Sequence, residues 1–86
     1  MDYEKNSELL KTLGHPIRLQ MVEGLMSNEC NVNKIMNVLK IPQSTASQHL
    51  GKLKDRGVLI ARKEGVRTCY KVVDQKAIDI IKILRS

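Results

Sequence analysis

Apolar side chains recur three and four positions apart through the first half of the chain, and this period predicts helices. The stripes that mark the first three helices are Leu9, Leu10 and Leu13; then Ile17, Met21, Val22 and Leu25; then Val32, Ile35, Met36 and Leu39. A fourth helix is expected over residues 43–55. It follows the turn Lys40-Ile41-Pro42 and ends before Gly57.

After Gly57 the pattern changes from helices to strands. Residues 58–61 predict a short strand, Glu64-Gly65 a turn, and residues 67–73 a second strand. Asp74 is a suitable N-cap for a last helix over residues 75–84. The chain is therefore expected to form one mainly α domain over residues 1–86, with a β-hairpin and the order α-α-α-α-β-β-α.

The fourth predicted helix has an unusual outer face. On a helical projection Ala46, Leu50 and Leu53 share one side, and the opposite side carries short polar residues and no acid. A face that only meets solvent usually carries Glu, Lys and Arg, because Ser and Thr lower helix stability. Hydroxyl and amide groups can hydrogen-bond base edges and phosphate oxygens, so this face predicts contact with the major groove of duplex DNA.

The positive charge of the chain is concentrated around this helix and the hairpin. The formal net charge is +6. Residues 40–71 hold eight basic and two acidic residues, whereas the rest of the chain sums to zero. Such a window is either a solvated basic face or a surface for a polyanion, and next to the polar helix it favours nucleic acid.

Three segments resemble the ArsR/SmtB family of winged helix-turn-helix repressors, in family order and spacing. They read "LGHPIRLQMVEGL", "IPQSTASQHLGKLKDRGVL" and "RKEGVRTCYKV". The resemblance extends over nearly the whole chain, and its pattern is most similar to the metal-independent PagR-type members. It implies a homodimer that binds an operator with an inverted repeat, with the hairpin as the wing.

The resemblance also implies which residues meet DNA. The residues expected to enter the groove and read bases are Gln43, Ser44, Thr45, Ser47 and Gln48. Lys52 and Lys54 would lie near phosphates. Arg62, Lys63 and Arg67 would reach the backbone or the adjacent minor groove from the wing.

Metal sites of the family types are not expected. Many members sense metals through a Cys-Val-Cys segment on the third helix, but this chain has Asn31-Val32-Asn33 there, and Asn is a poor ligand for soft metals. The last helix contains no His that could complete the other common site. His15 and His49 are expected to cap or pack, with contact to a phosphate as the alternative for His49. No cofactor is expected.

Cys30 and Cys69 leave two interpretations open. A free cysteine is most often a small apolar residue that packs. The alternative is a thiol switch, although family members that sense oxidants place their two cysteines on the second and last helices. Arg67 and Lys71, close to Cys69 in sequence, would favour its thiolate form.

The last helix predicts a dimer, because apolar residues cover more than one of its sides. One small domain cannot bury all of them, and the family pairs its first and last helices between subunits. The residues expected at that interface are Leu9, Leu10, Leu13, Ile78, Ile81 and Leu84.

Other classes of function fit less well. No glycine-rich phosphate loop, carboxylate pair or nucleophile–base set predicts an enzyme. No apolar run predicts a membrane span or a signal peptide, so a cytoplasmic location is expected. A winged helix that binds another protein is the remaining rival, but such domains often lack a basic wing. The operator, the target genes and any inducing signal are not encoded in a recognisable pattern.

Overall fold

The computed structural model describes residues 1–86 and contains five helices and one antiparallel hairpin. The elements are α1 Tyr3–Leu13, α2 Pro16–Ser27, α3 Val32–Leu39, α4 Gln43–Asp55, β1 Leu59–Glu64, β2 Arg67–Val72 and α5 Gln75–Arg85. The predicted order of elements is confirmed, and the bounds of α4 are those expected from the sequence. None of the helices is both long and apolar enough to cross a membrane.

Side chains that accept hydrogen bonds from the first turn begin three of the helices. Asp2 caps α1 by accepting from the amide of Lys5 at 3.0 Å. Asp74 caps α5 by accepting from the amide of Lys76 at 2.9 Å, as predicted. His15 caps α2 through Nδ1, which accepts from the amide of Ile17 at 3.1 Å. These contacts satisfy amide groups that have no partner inside the helix.

A tight turn sets α3 against α4. Lys40 ends α3 in the left-handed region, with φ of 55°, and the amide of Ile41 donates to the carbonyl of Met36 at 3.2 Å. Pro42 then precedes the first residue of α4. The two helices therefore form the helix-turn-helix that the sequence predicted.

The first strand is longer than predicted, because β1 continues to Glu64 instead of ending at Ala61. Its ladder with β2 runs from Leu59 opposite Val72 to Glu64 opposite Arg67. The ladder is extended by backbone hydrogen bonds, which need no apolar side chains. The exposed polar residues after Ala61 therefore show no apolar pattern from which the end of β1 could be predicted. Gly65, with φ of 64°, lies in the two-residue turn where a positive φ favours glycine.

The core lies where α2 and α4 meet the base of the hairpin and one side of α5. Met21, Val22 and Leu25 of α2 are fully buried, and so is Leu53 of α4. Gly24 allows α3 to pack closely, since a Cβ there would lie 2.8 Å from Cδ1 of Ile35. All the large core residues are aliphatic or Met, as the absence of Phe and Trp requires.

Arg18 joins α1, α2 and α4, and the sequence pattern gave no indication of this role. Its Nε donates to the carbonyl of Thr12 at 2.5 Å and its Nη2 to the carbonyl of Lys11 at 3.5 Å, at the end of α1. A guanidinium is a favourable partner for these last carbonyls because the helix C-terminus carries partial negative charge. Its Nη1 donates to Nδ1 of His49 on α4 at 3.2 Å.

His49 packs against the start of α2 and is a neutral hydrogen-bond acceptor, which confirms the packing prediction for this residue. Arginine can only donate, so Nδ1 of His49 must accept from Arg18. The ring of His15 lies against it, with 4.6 Å between the ring centroids. Burial has the largest effect in lowering the pKa of His49, and electrostatic interaction with His15, Arg18 and Lys52 lowers it further.

The depressed pKa of His49 predicts that the protein loses stability in mild acid. Above about pH 6.5 this residue is neutral in both the folded and the unfolded chain. As the pH falls through that value, the unfolded chain binds a proton before the folded chain does, so the free energy of unfolding decreases. Urea unfolding between about pH 7.5 and 5.5 measures this decrease. His49→Gln, which keeps an acceptor for Arg18, should reduce the slope. Equal slopes for the two proteins would contradict the assignment.

Candidate nucleic-acid interface

The outer face of α4 is an exposed row of short polar side chains. Gln43, Ser44, Ser47 and Gln48 are exposed, and Thr45 is half-buried. On the other side, Ala46, Leu50 and Leu53 lie in the core with at most 6% of their surface exposed. The division into two faces that the sequence predicted is therefore present, and the polar row is available to a partner.

The wing stands beside the first half of α4 and forms a groove with it. Gln43 and Ser47 of α4 line this groove together with Lys63, Arg67 and Thr68 of the hairpin. The structure thus brings two predicted base-reading residues and two predicted wing residues to one concave surface. Lys52 and Lys54 are exposed but lie in the last turns of α4, outside the groove.

Two of the three predicted wing cations are engaged within the chain. Arg62 pairs through Nη1 with Glu29 and through Nε with Glu64 at 3.1 Å. Arg67 lies 3.8 Å from Glu64. Hydrogen bonds from Glu29 and Glu64 raise the pKa of the Arg62 guanidinium. We call these two arginines and two glutamates the wing ion-pair cluster.

Lys63 differs from both arginines because it takes part in none of the six ion pairs of the chain. Residues alternate between the two faces of a strand, so Lys63 and its ladder partner Thr68 lie on the face opposite Arg62. Of the three predicted wing cations, Lys63 is therefore the one that can meet a phosphate without first losing a carboxylate.

Cys30 and Cys69 form a disulfide across 39 positions of sequence. The interpretation of the cysteines as free packing residues is therefore wrong. Cys30 lies in the loop between α2 and α3, and Cys69 is fully buried in β2. Their pairing depends on the docking of the hairpin against this loop, which no spacing in the sequence reveals.

A backbone hydrogen bond reinforces the same junction, because the amide of Tyr70 donates to the carbonyl of Glu29 at 2.7 Å. Glu64 also approaches it, and its carboxylate lies within 4.8 Å of both sulfurs, close enough for a three-ligand metal site. Sulfurs joined in a disulfide are not thiolates, and the thiolate is the form that binds metals. This cluster therefore does not change the expectation that metals play no part here.

Asn31, which stands at the first thiolate position of the metal-sensing members, has a structural contact. It precedes α3, and its Nδ2 donates to the carbonyl of Gly24 in α2 at 3.2 Å. Its side chain therefore helps to hold the loop between α2 and α3, next to the disulfide-bonded Cys30. Asn33, at the second position, is exposed.

The predicted dimer residues divide into two groups. Leu9, Leu13 and Ile81 are at most 8% exposed and lie in the chain's own core, so their assignment to the interface needs correction. They were assigned to the interface because the helical period groups them on the same apolar stripes as residues that are exposed. Leu10 and Leu84 are 57% and 63% exposed, and Ile78 is half-buried.

An apolar surface remains uncovered across α1 and α5. Ile83 is 71% exposed and Tyr3 is 79% exposed. Together with Leu10 and Leu84 they leave exposed apolar area on both terminal helices. A hydrogen bond joins these two helices, because Nζ of Lys76 in α5 donates to Oδ1 of Asn6 in α1 at 3.0 Å. We call Tyr3, Leu10, Ile83 and Leu84 the terminal apolar surface.

Comparison with known proteins places this architecture among bacterial regulators. The family model described as bacterial regulatory protein, arsR family, matches residues 15–61, from the cap of α2 into β1. The chain is 42% identical over 85 residues to the transcriptional repressor PagR of Bacillus anthracis. That alignment covers 98% of this chain and 85% of PagR.

Solved structures agree over almost the whole length. The crystal structure of PagR is similar with a TM-score of 0.82 and covers 98% of this chain and 97% of its own. Reduced HlyU from Vibrio cholerae has a TM-score of 0.90 at 31% identity, covering 98% of this chain and 88% of its own. A homodimeric winged helix-turn-helix DNA-binding domain from Mycobacterium bovis has a TM-score of 0.81 at 26% identity, covering 96% and 77%.

The helix-turn-helix, the wing and the similarity to PagR all support the resemblance that the three sequence segments carried. The chain belongs to the ArsR family of winged helix-turn-helix transcriptional regulators.

Proposed function

We propose that this protein is a transcriptional repressor that binds duplex DNA as a homodimer, at an operator with an inverted repeat. The observation that carries the proposal is the exposed polar row of α4, which lies beside the wing in the region that holds the whole excess of positive charge. PagR, to which the chain is 42% identical, is a repressor. A repressor acts on the chromosome, so we also propose a cytoplasmic location.

In this proposal α4 enters the major groove and its side chains have different tasks. Gln48 is the longest side chain near the centre of the polar row, and an amide can pair with the edge of adenine through two hydrogen bonds. The short hydroxyls of Ser44, Thr45 and Ser47 allow the helix to approach closely and can contact bases or phosphates. Gln43 lies at the N-terminal end of α4, where the helix also offers free amides to a phosphate.

The lysines and the wing supply contacts that do not depend on sequence. Lys52 and Lys54 lie at the far end of α4, and Lys63 lies across the groove from Gln43 and Ser47. Cations at both edges of the reading helix would hold it in register on the two phosphate strands. Arg62 and Arg67 can join them only if the wing ion-pair cluster opens.

The dimer supplies the symmetry of the operator. The terminal apolar surface has no cover within the chain, and pairing it around a two-fold axis would bury it in both copies at once. Two copies of α4 related in this way would read two half-sites about 34 Å apart, one turn of DNA. The Mycobacterium bovis domain with the same fold is homodimeric.

The direct test is a fluorescence-anisotropy titration of the full-length protein against duplex DNA from upstream of its own gene, with a scrambled duplex as the reference. Selective binding with a stoichiometry of two chains per duplex is expected. If neither that fragment nor a pool of random duplexes is bound selectively, the DNA proposal fails and the surface has to be assigned to a protein partner.

Gln48→Ala should weaken binding to the operator by about 1–3 kcal/mol, while binding to scrambled DNA changes little. The reason is that the substitution removes hydrogen bonds to a base edge but leaves the charge unchanged. Gln20→Ala is the matched control, because Gln20 lies on α2 and its amide donates to its own helix, at the carbonyl of Pro16. An unchanged preference for the operator in Gln48→Ala would show that α4 does not read the sequence.

Lys63→Ala should weaken binding to operator and scrambled duplexes alike. Each lost phosphate contact lowers the slope of log K against log salt by about 0.9, so a dimer that loses two contacts should lose about 1.8. Lys34→Ala removes the same charge from α3, next to Gln20 and Glu23 and away from the wing. A change that is the same for both variants would mean that Lys63 acts only through net charge.

Ile83→Asp should convert the dimer into a monomer, because it places a charge in the proposed apolar interface. Sedimentation velocity measures the change. Val38→Asp is the matched control, since Val38 is also 71% exposed but lies on α3. A dimer that persists in Ile83→Asp would place the interface on another surface.

A further inference from the structure

The disulfide holds the loop that carries Glu29 against the wing. Cys69 is opposite Arg62 in the ladder between β1 and β2, so the two side chains lie on one face of the hairpin. Cys30 is bonded to Cys69 on that face, and its neighbour Glu29 pairs with Arg62. The cross-link therefore keeps the Glu29 carboxylate next to a wing arginine.

With the disulfide formed, the four charges of the wing ion-pair cluster sum to zero. Arg62 and Arg67 are balanced by Glu29 and Glu64 in the wing ion-pair cluster. All of these side chains remain partly open to solvent, with 35–62% of their surface exposed. The arginines are thus near enough to the surface to meet a phosphate, but each already has a carboxylate partner.

Reduction would change the partners of Glu64. Its Oε2 lies 3.6 Å from Sγ of Cys30 and 3.7 Å from Sγ of Cys69. Disulfide sulfurs carry no hydrogen, whereas two thiols could both donate to this oxygen. Two S–H donors would then compete with Arg62 and Arg67 for the same carboxylate.

Reduction would also release the covalent hold on Glu29. The loop between α2 and α3 would stay in contact with β2 through the hydrogen bond from Tyr70. The Glu29 carboxylate would nevertheless lose the link that fixes it beside Arg62, and a partly exposed ion pair without such a link contributes little. Both effects loosen the arginines.

We propose that the Cys30–Cys69 disulfide is a redox-responsive tether that withholds Arg62 and Arg67 from DNA, so that the reduced protein binds DNA more tightly. The inference rests on the proposed DNA-binding function and adds a form of regulation to it. The tether differs from a switch in the reading helix, because α4 keeps its position and only sequence-independent phosphate contacts change.

The reaction is an ordinary thiol–disulfide exchange with a dithiol reductant. A thiolate of the reductant attacks Sγ of Cys30, which is half-buried, whereas Cys69 is fully buried. The S–S bond breaks, and its electron pair leaves on Sγ of Cys69, which then takes up a proton. The second thiol of the reductant attacks the mixed disulfide and frees Cys30. The protein gains two electrons and two protons, and the reductant ends as a disulfide.

The experiment compares DNA binding by the full-length protein before and after treatment with dithiothreitol, over a range of salt concentrations. An assay of free thiols verifies the two states, since it should find none per chain before the treatment and two per chain after it. The reduced protein should bind operator and scrambled DNA about tenfold more tightly at physiological salt. Its slope of log K against log salt should be steeper by about 3.6, because each subunit of a dimer gains one Arg62 contact and one Arg67 contact.

Four variants separate the tether from a general effect of reduction. Cys30→Ser combined with Cys69→Ser should bind like the reduced wild type with or without dithiothreitol. Arg62→Gln combined with Arg67→Gln should bind equally in both states. Glu29→Gln should gain affinity without reduction, whereas Glu23→Gln, which removes a carboxylate paired with Arg85 at 3.5 Å, should keep the full redox difference.

The outcomes distinguish this inference from the function on which it rests. Selective binding with the same affinity and salt slope in both verified states overturns the tether and leaves the repressor proposal intact. Tighter binding by the oxidised protein also overturns it, because the disulfide would then prepare the wing for DNA. An absence of selective binding in both states removes the repressor proposal and the tether together.

Discussion

The burial of one face of α4 is the constraint on which the rest of the structure depends. Ser, Thr and Gln on the outer face contribute little to helix stability, and the helix has no side-chain cap at its start. Its stability must therefore come from Ala46, Leu50 and Leu53, which are almost completely buried in the core. Arg18 adds a polar anchor by joining His49 to the end of α1. This anchoring leaves the outer face free to serve a partner.

The wing is subject to a different constraint, because a two-stranded ribbon with little core of its own must place several charged side chains on its two faces. Alternation along the strands separates Lys63 from the ion-pair cluster around Arg62. One face thus has a free cation at Lys63, and the other holds the wing ion-pair cluster together with the exposed Lys71. The sequence window has a net positive charge, but that total does not say which cations are free.

The sequence predicted those features that depend on local pattern. The apolar stripes and breakers gave the order of the elements and both ends of α4. The caps at His15 and Asp74 follow from local chemistry too. The proposed readers on α4 were placed on its outer face by the same period, and four of the five are exposed, whereas Thr45 is half-buried.

Features that depend on tertiary contact could not be predicted. The disulfide needs the hairpin to dock on the loop before α3, and the partners of Arg62 come from two distant segments. The helical period gives each terminal helix its apolar stripes but does not say which side meets its own core. Leu13 and Ile81 were therefore assigned outward although they point inward.

The disulfide also divides the chain in a way that its fold does not. The bond closes a covalent ring from residue 30 to residue 69, which contains α3, α4 and β1. Closing a ring of this size lowers the entropy of the unfolded chain enough to stabilise the fold by about 4 kcal/mol in the chain-entropy model. The helices α1 and α5, which carry the terminal apolar surface, lie on the two open tails. Fraying of either tail, or separation of two subunits, would therefore leave the ring around the reading helix closed.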